Sequence, residues 1–534
     1  MRRRLISLVL VLASVAVSAQ QQPPVRPRLI VILVVDQMRT DYLERGAPHF
    51  TAGLKRLTTE GAWFKEGAYP YLNTVTCAGH STIGTGALPY HHGMVLNAWW
   101  ERSTGRERAC TSDETVKNIG YLGPTTGGDS ARWILVPTLA QKIREAGGRT
   151  VALSLKPRSA IPLGGTNPTA VVWFSDRTGW STSSAFTPSK IDWLERFVTT
   201  HPITTAGGQA WERMLPEDKY TGTDDGAGER FPSGWTRTFP HVVSQGDAPQ
   251  FSAQWQRTPF ADEYLARMAV AAIDSLELGR GPRSDFLAVS FSALDLTGHQ
   301  YGPASHEVQD LVLRLDRTIG TLLDHLDAKL GRGGYVVGLS ADHGVGPMPE
   351  QTEGSGRQSG AQALSAIDGA LTPVFGPGKH AAHSVYTDLY LLPGVFERVK
   401  NDPKASAAVL DALRALPGVV RAFRSDEISS AEARKSSDPI RRAAALSYHP
   451  ERSGDFIIVP REHWMLSTSS ATTHGTLHPY DQRVPVIFYG AGVPGGHRRD
   501  AATPADLAPT LATLAGFPFS APDGKPLVTP TASR

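Results

Sequence analysis

Asp36, Asp295, Asp342 and His343 each stand at or just past the end of a long apolar run, and His474 lies shortly upstream of another. The runs are Leu29–Val35, Phe286–Leu294, Tyr335–Ala341 and Val484–Gly490. Carboxylates and imidazoles together form ligand sets that suit zinc. Asp295-Leu296-Thr297-Gly298-His299 places a carboxylate and an imidazole four residues apart, which a turn or a short helix could aim at one ion. Asp342-His343 follows its apolar run directly, where a buried polar pair without partners would be costly. With Thr76 there are seven candidate groups, too many for a single tetrahedral ion and enough for two.

Thr76 lies in Asn73-Thr74-Val75-Thr76-Cys77-Ala78-Gly79-His80, which reads as the beginning of a short helix. The N-terminus of a helix carries unpaired N–H groups and positive dipole character, favourable to an anion or to a hydroxyl losing its proton. A threonine there is most simply a cap. Beside metal ions it is also a nucleophile that coordination can activate.

The apolar runs are continuous rather than alternating, the signature of strands buried on both faces, as in parallel sheets. In such a sheet, ligands bind outside the carboxyl ends of the strands. The runs would therefore deliver Asp36, Asp295, Asp342 and His343 to one rim. Strand-like and helix-like segments alternate, which predicts an α/β fold: a mostly parallel sheet sandwiched by helices.

Two stretches interrupt that rhythm. Residues 161–258 are rich in Pro, Gly, Thr and Trp and read as an inserted cap; residues 347–470 read as an α+β lid. The core is then contributed by 28–160, 259–346 and 471–534. Residues 1–19 have the pattern of a secretory signal: Arg2-Arg3-Arg4, an apolar core from Leu5 to Val17, and small residues before a cut after Ala19. Residues 20–27 form a flexible lead-in. The mature protein is expected to be periplasmic or secreted, monomeric, and without a membrane span once the signal is removed. Cys77 and Cys110 could form a disulfide in that compartment or remain two thiols. A net charge of +3 over 534 residues, with no concentrated basic patch, argues against nucleic-acid binding.

Taken in order, Val35–Arg39, Thr76–His80, Gly93–Asn97, Lys156-Pro157-Arg158, Asp295–His299, Asp342–Gly344, Thr473–Gly475 and Thr503–Leu511 resemble the alkaline phosphatase superfamily. Within it, they resemble the phosphate-irrepressible type with a threonine nucleophile. The resemblance implies an alkaline-phosphatase-like core and two Zn2+ ions. It assigns Asp295, His299 and His474 to one ion, and Asp36, Asp342, His343 and the Thr76 oxygen to the other. Asn97, Lys156 and Arg158 would bind the phosphate oxygens. Similar enzymes often carry an acidic residue where this chain has Pro157.

Lys156 and Arg158 alternate just past the apolar Val151–Leu155, so a continued strand would point both to one side. His91 and His92, in a Pro- and Gly-flanked turn, are expected to face solvent. The implied activity is hydrolysis of phosphate monoesters of small metabolites through a phosphothreonine. The alternative is a phosphodiesterase or nucleotide pyrophosphatase on the same two-zinc core. A sulfatase is disfavoured, because Gly79 and Ser81 stand where that class carries Pro and Arg.

Overall fold

Residue by residue, β1 (Leu29–Val35) explains its own sequence. Leu29, Val31, Leu33 and Val35 enter the hydrophobic core on one face of the sheet, while Ile30, Ile32 and Val34 enter the core on the other. Both faces are covered, so no position can be polar. The computed structural model describes residues 26–175, 179–246 and 248–530. The proposed signal and most of the lead-in lie outside the described residues.

The central sheet has ten strands. In chain order they are β1, β2 (Ala62–Phe64), β3 (Asn118–Gly120), β4 (Thr150–Ser154), β5 (Ala170–Ser175), β6 (Gly179–Ser183), β7 (Asp285–Phe291), β8 (Tyr335–Ser340), β9 (Val486–Gly490) and β10 (Gly496–Arg498). Across the sheet they run β10-β2-β9-β8-β1-β7-β4-β5-β6-β3. The five strands from β8 to β5 are mutually parallel. The pairs β8–β9 and β5–β6 are antiparallel. One helical layer includes Pro259–Leu276 and His306–Leu330, whose buried residues join the first core; Leu507–Ala515 packs into the second.

Two features differ from expectation. The run Val484–Gly490 was grouped with the parallel strands, yet β9 is antiparallel to its neighbour. Its amino end therefore lies at the rim where β8 ends, which brings the segment containing His474 there. Second, β5 and β6 fall inside the stretch expected to be a cap, and 161 lies within the helix Pro157–Gly164. Beyond β6, residues up to 258 share the main core through Trp193, Trp211 and Trp235. Residues of the 347–470 stretch form a four-stranded antiparallel sheet and bury a separate core containing Ile367, Leu389, Val409 and Ile458. Among the described residues, no helix is long and apolar enough to cross a membrane.

Candidate active site

Asp36 follows β1 directly, and Asp342 and His343 follow β8 by two and three residues. After β7 the chain turns into α1 (Ala293–Tyr301), whose pitch brings His299 Nε2 to 3.3 Å from Asp295 Oδ1. Thr76 is the first residue of the ten-residue helix Thr76–Thr85. Gly79 lets that helix seat against the rim: a methyl there would lie 2.1 Å from the carbonyl oxygen of Asp342.

The expected ligands converge. Asp36, Asp342 and His343 present ligand atoms within 4.8 Å of one another, and so do Asp295, His343 and His474. His343 Nε2 lies 3.6 Å from Asp36 Oδ1, 3.1 Å from Asp342 Oδ2 and 3.3 Å from Thr76 Oγ1. His474 Nε2 lies 3.7 Å from Asp295 Oδ1. The His343 and His474 rings stack with centroids 3.4 Å apart.

Each of the three imidazoles anchors its Nδ1 on a backbone carbonyl: His343 on Gly344, His474 on Thr74 and His299 on Thr472, all at 2.9 Å. Nδ1 donating in this way leaves Nε2 with a free lone pair, the tautomer in which a histidine binds metal.

Electrostatics point to cations. Asp36, Asp295 and Asp342 are all buried. Burial, with the neighbouring carboxylates Asp295 and Asp342, pushes Asp36 up to about 6. Asp36 Oδ1 and Asp342 Oδ2 accept no hydrogen bond despite complete burial. Lys156 is the ammonium between the groups: its Nζ lies 2.7 Å from Asp36 Oδ2 and also contacts Asp295 Oδ2. One lysine cannot neutralise three carboxylates. The remaining negative charge and this nitrogen- and oxygen-donor set suit a divalent cation such as zinc.

Asn97 Oδ1 accepts from the Cys77 N–H at 2.8 Å, which fixes its amide beside Thr76. The strand expected to carry Lys156 and Arg158 stops at Ser154. Lys156 instead sits at the cap of Pro157–Gly164, and Pro157 takes the first helical position, where its missing N–H costs nothing. Strand alternation therefore does not align the two side chains. Lys156 is buried; Arg158 is half-buried, its Nε has no hydrogen-bond partner, and its charge opposes protonation of Lys156.

His92 does not face solvent. It is fully buried, with Nε2 3.1 Å from Thr82 Oγ1 and Nδ1 accepting from the Met94 N–H. His91 is exposed beside Asp523. Cys77 and Cys110 are joined as a disulfide behind the start of the Thr76 helix.

Sequence reasoning did not single out three residues in contact with the site. Gln37 donates to Asp295 and Asp342. His80 lies 3.2 Å from Asp342 Oδ2 and 2.8 Å from Ser290 Oγ. Tyr386 donates to the His474 carbonyl at 2.5 Å. Its place four residues after Thr76, one helical turn on, was the available signal for His80; Tyr386 arrives from a distant hairpin and gave none.

A family model described as type I phosphodiesterase / nucleotide pyrophosphatase matches residues 30–481. Alkaline phosphatase PafA of Elizabethkingia meningoseptica is 32% identical over 516 residues, 94% of each chain. Alkaline phosphatase PhoV of Synechococcus elongatus is 31% identical over 514 residues, 94% of this chain and 92% of its own. The crystal structure of PafA superposes with a TM-score of 0.86, covering 94% of this chain and 98% of that one. A solved PafA variant replaces one threonine, one asparagine, one lysine and one arginine, the last two separated by one residue, as Lys156 and Arg158 are. The chain belongs to the type I phosphodiesterase / nucleotide pyrophosphatase family, and with these relatives to the alkaline phosphatase superfamily.

Proposed function

We propose that this chain, an alkaline phosphatase by family, is a secreted two-zinc enzyme that hydrolyses small phosphate monoesters through a phosphothreonine at Thr76. The observation that carries this reading is the clustering of three buried carboxylates with His343 and His474, beside a hydroxyl at a helix N-terminus that lies 3.3 Å from His343 Nε2. Asp295, His299 and His474 would hold one ion; Asp36, Asp342, His343 and the Thr76 oxygen would hold the other. Bound there, zinc would favour the deprotonated threonine and stabilise the charge on the attacking and departing oxygens.

Thr76 Oγ1 attacks phosphorus, the bond to the leaving oxygen breaks, and the departing alkoxide takes a proton from water. A second water then attacks the phosphothreonine, releasing inorganic phosphate and restoring the hydroxyl. The helix N-terminus favours the negative charge at both stages. Asn97 donates its amide to a phosphate oxygen, and Lys156 and Arg158 meet the remaining charge. A guanidinium offers a planar fork and an ammonium a point charge. A monoester dianion carries one more charged oxygen than a diester, so this pair of cations favours the monoester over the diesterase alternative.

The test is metal analysis combined with acid quenching during turnover of a labelled monoester. The purified protein should contain close to two zincs per chain and lose activity on chelation, and the label should map to Thr76. Full activity without metal, or label on another residue, would sink the reading.

A further inference from the structure

Gln37 follows the ligand Asp36 and has no role in the reading above. Its backbone has φ 71°, the left-handed region that a residue with a side chain enters only under strain. It is almost completely buried. A glycine would adopt that φ freely, so the strain calls for a reason connected with the side chain.

The hydrogen bonds supply one. Its backbone N–H donates to Asp342 Oδ1 at 3.1 Å, and its side-chain amide donates to Asp295 Oδ1 at 2.8 Å. β1 lies between β7 and β8 in the sheet. A residue just past the end of β1 is therefore the one that can reach the carboxylate beyond β7 with one arm and the carboxylate beyond β8 with the other. α1 makes room for it: a methyl on Gly298 would lie 1.9 Å from Gln37 Oε1. Gly298 lies between Asp295 and His299 on the same helix. A carboxylate oxygen has two lone pairs, so Asp295 Oδ1 can accept the amide and still face an ion.

We propose that Gln37 is a positioning residue that bridges the two ligand groups, fixing Asp295 relative to Asp342 and so the separation of the two metal subsites. The inference rests on the two-zinc reading. Partners that orient ligand side chains change metal affinity, commonly ~10–100-fold.

The experiment compares wild type with Gln37→Gly, Gln37→Glu and Gly298→Ala. Zinc affinity is read by competition with a chromogenic chelator, and the melting temperature is read on zinc-stripped protein. Gln37→Gly should leave the stripped protein as stable as wild type or more so, since backbone strain is relieved. At the same time, it should bind at least one zinc ~10–100-fold more weakly. Gln37→Glu, which cannot donate to Asp295, and Gly298→Ala, which displaces the amide, should weaken zinc in the same direction.

A merely structural role predicts the reverse for Gln37→Gly: lower stability with unchanged zinc affinity. That result, or wild-type zinc affinity in all three variants, would overturn the proposal. Should Gln37→Gly fail to fold, the other two decide in the same way. A wild-type protein that binds no zinc would overturn the two-zinc reading itself, and this inference with it. Two tightly held zincs in wild type and variants alike would overturn the inference alone.

Discussion

The two candidate ligand groups near Thr76 are built differently. Asp36, Asp342 and His343 come from the ends of adjacent parallel strands, β1 and β8, and none of their side chains is exposed. Asp295, His299 and His474 come from a helix and from the long segment before an antiparallel strand, and the His299 side chain is 26% exposed. The first group is therefore fixed by the sheet, since neighbouring strands cannot slide without losing their ladder. The second opens to water and depends on side-chain and loop anchors: Gln37, the Thr74 and Thr472 carbonyls, and Tyr386. In the proposed enzyme, the rigid half holds the nucleophile: Thr76 Oγ1 lies 3.3 Å from His343 Nε2.

Removing the proposed nucleophile should have the largest effect. Thr76→Ala should lower turnover by up to roughly a millionfold, the scale seen when a serine protease loses its nucleophile. Thr76→Ser should retain substantial activity, since a hydroxyl remains. Steady-state kinetics check both, and an alanine variant within tenfold of wild type would exclude Thr76 as the nucleophile.

Next come the halves themselves. His343→Ala removes an imidazole of the closed group that also lies within 4.8 Å of the Asp295 and His474 ligand atoms, and leaves an enclosed gap beside buried carboxylates. Its loss of activity should not be restored by added zinc. His299→Ala opens onto solvent, where water can take the vacated position. Activity of that variant should recover as zinc is raised. Equal rescue of the two variants would erase the distinction between a closed and an open half.

Smaller still is the effect of Lys156→Ala combined with Arg158→Ala. Each charge-assisted contact contributes about 1.5–3 kcal/mol, or roughly one to two decades in rate. With both contacts removed, monoester efficiency should fall by roughly two to four decades and diester efficiency by much less, because a diester lacks the third charged oxygen. A parallel fall on both substrates would mean that the double variant disturbs the carboxylates Lys156 contacts rather than substrate charge.

What the sequence disclosed follows the same division. β1, β7 and β8 are buried on both faces, so their runs were continuous and their ends located Asp36, Asp295, Asp342 and His343. β9 was visible as a strand, but strand direction is set by pairing partners and leaves no local mark. β5 and β6 were hidden in a Pro- and Trp-rich stretch, where Ala170–Phe174 was too short to stand out against its neighbours. The turn containing His92 looked exposed, yet it folds beneath Arg452, whose guanidinium lies over Trp99 and donates to the Gly93 carbonyl. Gln37 was unreadable because its value lies in a backbone angle and in two carboxylates more than 250 residues away.

In the proposed enzyme, Lys156 and Arg158 match the site to a doubly charged phosphoryl group. The most direct test is the ratio of kcat/KM values of the zinc-loaded protein on a phosphate monoester and on the diester with the same leaving group. A clear preference for the monoester is expected, lost when Lys156 and Arg158 are both replaced by alanine. A preference for the diester in the unaltered protein would contradict it and make the phosphodiesterase reading the better one.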